Sequence, residues 1–224
     1  MYIPDAPHSW SLPADQAVKV QAELAARVRI EAPASGYNLV AGLDAAYASD
    51  RCLAAAVLWD LSADVVVESA SVMVAPVMHY RSGLLAFREA PALLAALGKL
   101  KNTPHVLLCD GHGLAHPRRC GLACHLGLLT SLPAVGCAKR ALVGAWQEPG
   151  TERGETTLLT DGGEILGAVL RTRSGVKPVF VSVGHRVDLE SALQLVLACG
   201  GGFRLPEPLR LADQLAGRLL REQA

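Results

Sequence analysis

The sequence carries no excess of charge of either sign: Lys and Arg number 21, Asp and Glu 21, and the formal net charge is zero. Proteins that grip nucleic acid are commonly basic overall, so a chain-wide polycation is excluded and only local basic patches could serve that purpose. No window reaches the roughly 18 uninterrupted apolar residues of a membrane span, and the opening MYIPDAPHSW has neither the basic stretch nor the apolar run of a secretory leader. A cytoplasmic protein with no membrane partner is therefore expected, and no obligate protein partner is evident. Internal repeats and low-complexity segments are missing as well, which excludes solenoids and linkers. Six cysteines are scattered through apolar surroundings and read as reduced, buried thiols rather than a disulfide framework. Against these absences stands an apolar share of 51%, enough to build a core. The length suits one α/β domain over residues 1–224, with residues 1–13 and the last few loosely held.

Periodicity supplies the order of elements. Residues 12–32 read LPADQAVKVQAELAARVRIEA, with Ala17, Val20, Leu24 and Val28 at helical spacing. LVAGLDAAYA, AAAVLWDL and VVVESASVMVA follow, rich in Val and Ala and separated by turn-like ASDR and SAD, and predict three antiparallel strands. GLLAFREAPALLAALGKL has a helical stripe and carries Pro91, so one helix or two short ones cover it. HVLLCDGHG, RRCGLACHLGLLT and AVGCAKRALVG then make a strand, a helix and a strand. The polar stretch WQEPGTERGETTLLTDGGE leads to the strand pair EILGAVLRTR and KPVFVSVGHRV, a helix DLESALQLVLACGG and a last helix from about Leu209. Three hairpin-linked strands followed by parallel strands alternating with helices predict a mixed sheet covered on both faces, the ribonuclease-H-like order.

Three acids stand out in this frame. Asp44 interrupts the apolar run LVAGLDAAYA, where an ionised carboxylate needs a partner or a metal; a capped strand end is the plainer alternative. Asp110 emerges at the carboxyl end of HVLLC, where open α/β sheets place ligands, and Gly111 and Gly113 beside it allow close approach of a backbone. Glu89, in AFREA, is by itself a solvated helix position. As a set they are oxygen donors of the kind hard cations such as Mg²⁺ take. His112, His116, His125, Cys120 and Cys124 crowd one segment, but the paired spacing of a zinc site is absent. His116, beside Pro117-Arg118-Arg119, reads as a proton-transfer or phosphate-orienting group, or else a capping histidine. Positive charge is local, at 116–119, Lys139-Arg140, 171–177 and His185-Arg186, and most of it falls on the side of Asp110.

GLLAFREAPALLAAL, CDGHGLAHPRRCGLACHLGLL, PAVGCAKRALVG, SVGHRVDLESAL and RLPEPLRLAD, in this order, resemble the endonuclease V family of deoxyinosine 3′-endonucleases. The likeness runs from the first helix to Asp213. It implies a ribonuclease-H-like fold and Mg²⁺-dependent hydrolysis, with Mn²⁺ able to substitute, of DNA or RNA one nucleotide beyond a hypoxanthine on its 3′ side. Asp44 and Asp110 would be the principal metal ligands, with Glu89 completing the acidic centre directly or through water, and His116 and Lys139 at the scissile phosphate. Gly83, Leu85, Gly111, Gly113, Gly121, Leu122, Gly136, Ala138 and Leu142 would line a pocket for an extruded base, whose backbone N–H groups could donate to O6 of hypoxanthine and reject the amino group of adenine.

The chain departs from the family pattern twice. In place of a Pro-Tyr-Ile-Pro wedge it has His79-Tyr80-Arg81-Ser82, with Arg88 nearby as a further candidate contact to DNA. Where some members carry His it has Asp213, which fits either an accessory acidic ligand or a helix surface. Two rival functions are a nucleic-acid-binding module that no longer cuts, disfavoured by the intact acids and Lys139, and a metal-dependent hydrolase of another phosphate ester, disfavoured by the basic edge and the glycine pocket.

Overall fold

Helix α1 (Ala14–Ala25) precedes a meander of β1 (Leu39–Ala48), β2 (Arg51–Asp60) and β3 (Val65–Val74), whose apolar residues alternate across the pleat. The computed structural model describes residues 1–48 and 50–222. Helix α2 (Leu85–Gly98) leads to β4 (Val106–Cys109), α3 (Leu122–Thr130) and β5 (Ala134–Ala138). Then come β6 (Thr156–Asp161), β7 (Glu164–Leu170), β8 (Val179–His185), α4 (Leu189–Ala198) and α5 (Glu207–Glu222). The eight strands form one sheet in the order β3-β2-β1-β4-β5-β8-β7-β6.

This is the mixed, helix-flanked sheet expected. Parallel pairing is confined to β1–β4–β5, the strands joined through helices. β6, β7 and β8 follow one another without a crossover helix and pair antiparallel, as short connections require. β6 lies inside the stretch read as a polar linker. It is an edge strand that buries only Leu159, joined to β7 by Gly162-Gly163, both at positive φ in a two-residue hairpin turn. Helix α1 is shorter than the pattern over 12–32, because the Arg29 backbone bonds residues at the end of β8: its N–H meets His185 Nδ1 at 3.3 Å and its carbonyl accepts from Arg186 N–H at 2.8 Å. α2 is one helix with Pro91 inside it.

Two cores sandwich the sheet. On one face α2 and α3 bury Ala41, Leu43, Leu107 and Cys109 of the central strands. On the other, α4 and the start of α5 bury Val40, Val106, Leu108 and Val135, and the rest of α5 covers Leu53, Ala55 and Val57. All six cysteines are free and buried. Ile3, Ala6 and Trp10 pack against the α2 face, while residues 223 and 224, part of the tail expected to be loose, lie outside the described residues. Among the described residues no helix is long and apolar enough to cross a membrane.

One glycine sets the distance between α5 and β1. Gly42 faces the start of α5, and a Cβ there would sit 2.2 Å from both the carbonyl carbon and the oxygen of Pro208. The same strand face two residues on carries Asp44, and the same helix carries Asp213. Gly42→Ala is therefore expected to push α5 outward and destabilise the chain by about 2–3 kcal/mol, a fall of roughly 5–10 °C in Tm. Gly36, with nothing within 4 Å of its would-be Cβ, supplies the control: Gly36→Ala should melt like the parent, and equal melting of the two variants would remove Gly42 as the spacer.

Candidate active site

The central parallel pair delivers the first two acids. Leu43 of β1 is in register with Cys109 of β4, and the Asp110 N–H donates to the Leu43 carbonyl at 3.0 Å, so Asp110, just past the end of β4, lies beside Asp44 in the middle of β1. Asp213 of α5 comes down on them. One carboxylate oxygen from each of the three lies within 4.8 Å of the others. Among the described residues no cluster with a His or Cys donor is comparably close, which removes the zinc alternative at Cys120, Cys124 and the neighbouring histidines. Lys139, just past β5, completes the group: its Nζ is 2.7 Å from Asp110 Oδ2 and 3.5 Å from Asp213 Oδ1.

Electrostatics show that this cluster lacks positive charge. Burial, and then the Asp110 charge, push Asp44 well above the usual carboxylate range. Glu89 lies on α2, outside the three-aspartate group, yet it feels both Asp44 and Asp110; burial first and those charges second push it up to about 8. Lys139 is raised despite its partial burial, chiefly by Asp110. Three hard oxygen donors converging with one lysine as counter-charge fit a divalent cation held by Asp44, Asp110 and Asp213.

His116 is placed differently from the expectation of proton transfer. Its Nδ1 accepts from the Arg118 N–H at 3.2 Å, which leaves Nε2 to donate to the Gly83 carbonyl at 3.0 Å. Burial lowers its pKa to about 4. A neutral ring with both nitrogens engaged pins the turn at Gly83, where φ is +77°, and forms one wall of a cavity.

That cavity, of about 210 Å³, is smaller than the ~300–1,000 Å³ of drug-sized sites and suits one planar heterocycle. Of the expected lining, Gly83, Leu85, Gly121, Leu122 and Leu142 do line it. Gly111, Gly113, Gly136 and Ala138 do not. A Cβ at Gly113 would lie 1.9 Å from the Val183 oxygen, and one at Gly136 would lie 2.6 Å from the Gly113 nitrogen, so these glycines admit neighbouring backbone rather than a ligand. Gly111 abuts Leu122, and Ala138 packs with Ala115 and Leu159. Sequence reasoning missed Gln21 and Arg140 as lining residues, and weighed His112 only for zinc. His112 is neutral, its pKa lowered to about 4 by burial, and its Nδ1 is buried without a partner.

Tyr80, 64% exposed, stands at the cavity mouth, with His79, Arg81 and Ser82 exposed beside it. Arg88 is turned inward, its guanidinium 3.9 Å above the Tyr47 ring. The basic clusters divide likewise. Arg118 bonds Gln21 and Gly83, Arg119 pairs with Asp161 and Glu164, Arg171 bonds Glu148 and three carbonyls, and Arg186 pairs with Glu31. Arg140 and Lys177 are exposed and have no such engagement among the described residues.

A family model described as Endonuclease V matches residues 22–214. The chain is 50% identical over 216 residues to an Endonuclease V of Roseiflexus castenholzii, spanning 96% of this chain and 97% of that one. It superposes on the crystal structure of the Endonuclease V from Streptomyces avermitilis with a TM-score of 0.91, 46% identity and 97% of each chain covered. It also resembles, at 27% identity and a TM-score of 0.83, the Ciona intestinalis Endonuclease V crystallised with a 24mer DNA containing an inosine followed by a ribo-adenosine, with 94% of this chain and 98% of that one covered.

The acid cluster makes stability depend on pH. Asp44 and Glu89 hold a proton more readily in the folded chain than in the unfolded one, so the stability they contribute is present in acid and is lost as pH rises from about 4.5 through about 8. In EDTA, Asp44→Asn is expected to stabilise the protein at pH 8.5 by on the order of 1–2 kcal/mol and to change little at pH 5. Urea unfolding at the two pH values reads this directly, and equal effects at both would contradict the burial of an uncompensated acid at Asp44.

Proposed function

Because the chain belongs to the endonuclease V family, we propose that it recognises an extruded hypoxanthine in nucleic acid and hydrolyses the second phosphodiester on its 3′ side in a Mg²⁺-dependent reaction in the cytoplasm, as part of the repair of deaminated bases. One juxtaposition carries this reading. Two short strand ends each serve both sites: Asp110 supplies a carboxylate and His112 a cavity wall, while Lys139 reaches the acids and Arg140 the cavity. Two residues span at most ~7 Å, a separation that one nucleotide can bridge. A base in the cavity and a nearby phosphate at the carboxylates thus fit one continuous strand, which supports a cut displaced from the base.

Asp44, Asp110 and Asp213 would hold the cation. A Mg²⁺ or Mn²⁺ ion there would supply Lewis-acid stabilisation of the charge that develops on the phosphodiester oxygens. Lys139 Nζ exchanges its hydrogen bond to Asp110 for one to a non-bridging phosphate oxygen, adding fixed positive charge where it develops. Glu89, buried on α2, completes the acidic centre through water. The glycine-rich wall offers backbone donors to O6 of hypoxanthine, and the adenine amino group would meet them donor to donor. The paired His116 holds the Gly83 turn in place rather than moving protons.

The test is incubation with end-labelled oligonucleotides containing or lacking one deoxyinosine, in Mg²⁺ or in EDTA. Inosine-dependent, EDTA-sensitive cutting is expected, and its absence refutes the reading. Asp110→Asn should retain binding to inosine-containing DNA and lose incision by at least about 10³-fold, because the amide keeps the shape and removes the charge. Appreciable Mg²⁺-dependent cutting by that variant would take Asp110 out of the metal site.

The loop at the cavity mouth makes a separate expectation. Extruding a base from a duplex costs a few kcal/mol, which an apolar rigid plug offsets. Tyr80 can stack in the vacated space, but Arg81 and Ser82 are polar and lack proline's rigidity. Single-turnover cleavage is therefore expected to be faster on inosine in single strands than in a stable duplex, and Tyr80→Ala should widen the gap. Equal or faster cutting of the duplex by the parent would mean that this loop wedges as well as an apolar one.

A further inference from the structure

Residues 139–141 form a ridge. On one side lies the base-sized cavity; on the other is a groove of about 440 Å³ lined by Lys139, Arg140, Trp146, Lys177, Phe180 and Arg204. Trp146 is 42% exposed, the one tryptophan of the three that presents so much of its ring, and it rests at a right angle on the buried Phe180 with ring centres 5.0 Å apart. Its backbone is held: the neighbouring Ala145 and Thr160 exchange N–H···O bonds of 2.7 and 3.0 Å, and Thr157 donates to the Gln147 carbonyl. An aromatic surface fixed in this way loses little conformational entropy on stacking.

The charges around it point to one class of ligand. Glu148, the one acid lining the groove, is paired with Arg171 at 3.0 Å. Arg204 is committed to the carbonyls of Lys139 and Pro178 at 2.6 and 2.8 Å, which steadies the ridge. Arg140 and Lys177 remain exposed, with no hydrogen bond or ion pair among the described residues. A rigid aromatic face flanked by unengaged cations is the arrangement that takes an unpaired nucleobase and its phosphate. The groove is also continuous with the acid centre, since Lys139 lines it and reaches Asp110.

We propose that this groove is a stacking subsite for one unpaired base of the strand being cut, on the 3′ side of the reacting phosphate, with the base on Trp146 and a flanking phosphate against Lys177. The assignment of strand and direction rests on the nuclease reading above. The affinity for an unpaired nucleotide rests on the groove alone. Stacking on an indole is tolerant of base identity, so the subsite adds grip without sequence preference, and it disfavours duplex because paired bases do not offer their faces.

The experiment uses the full-length chain in EDTA and follows tryptophan fluorescence as a 12-mer oligothymidylate without inosine is added. Quenching is expected; Trp146→Ala should weaken binding about 10-fold, Trp146→Tyr should stay within about 3-fold of the parent, and Lys177→Glu, which leaves the indole and its packing intact, should weaken binding and reduce its salt dependence by about one phosphate contact. Single-strand oligonucleotides with one deoxyinosine and a single abasic spacer at successive 3′ positions then locate the subsite. One spacer position should cost the parent about 10-fold in Kd and cost Trp146→Ala nothing more. Parent-like binding by both Trp146→Ala and Lys177→Glu, or a spacer loss that adds in full to the Trp146→Ala loss, overturns the proposal. Trp146-dependent binding without inosine-dependent cutting would uphold the groove and refute the nuclease reading; intact inosine-dependent cutting with no Trp146 effect would do the reverse.

Discussion

Everything at this site follows from forcing like charges together. Asp44 and Asp110 cannot separate, because the β1–β4 register that aligns Leu43 with Cys109 is part of the buried sheet, and the sheet is held by two apolar cores. Asp213 is brought to them by α5, whose approach depends on a position in β1 without a side chain. Against three aspartates and the nearby Glu89 the fold sets one lysine. Folding energy spread over the whole domain thus maintains a local arrangement that is unfavourable without a cation, as in sites whose groups are arranged for chemistry rather than stability.

The same strand ends explain why recognition and chemistry are one step apart. Lys139 and Arg140, in the bend just past β5, divide their side chains, one toward the carboxylates and one toward the cavity. The glycines behind them serve packing: Gly113, Gly136 and Gly121 allow the DGHG turn, β5 and the start of α3 to lie backbone against backbone. That packing fixes the backbone next to the cavity, which Gly121 and Leu122 at the start of α3 line.

Strongly periodic segments were legible in the sequence. The three-strand meander, Asp44 inside a central strand, Asp110 at a strand end and the helices on both faces follow from the periodicity. The failures have physical causes. β6 pairs on one side and buries one leucine, so its composition resembles a loop. α1 ends early because the Arg29 backbone bonds the end of β8, a long-range contact that no local pattern reports. Asp213 reads equally as ligand or surface because only the packing of α5 onto β1, a long-range contact, brings its carboxylate near Asp44 and Asp110. Gly111, Gly113 and Gly136 were expected at the base because close approach of a ligand and close approach of backbone demand the same residue. Trp146 gave no signal, since a lone aromatic in a polar stretch has no period.

The zero net charge also acquires a meaning. Of the basic clusters visible in the sequence, Arg118, Arg119, Arg171 and Arg186 are bound to carbonyls, amides or carboxylates of the chain itself, and Arg88 is stacked on Tyr47. Their work is internal. In the same clusters, the cations left exposed with no side-chain hydrogen bond or ion pair among the described residues are Arg140, Arg173 and Lys177, of which Arg140 and Lys177 line the groove, with Arg81 on the mouth loop. Since each phosphate contact adds about one unit to the salt slope, a surface with few free cations gives the backbone little non-specific grip, so the proposed reading leaves discrimination to the cavity and groove that would engage bases.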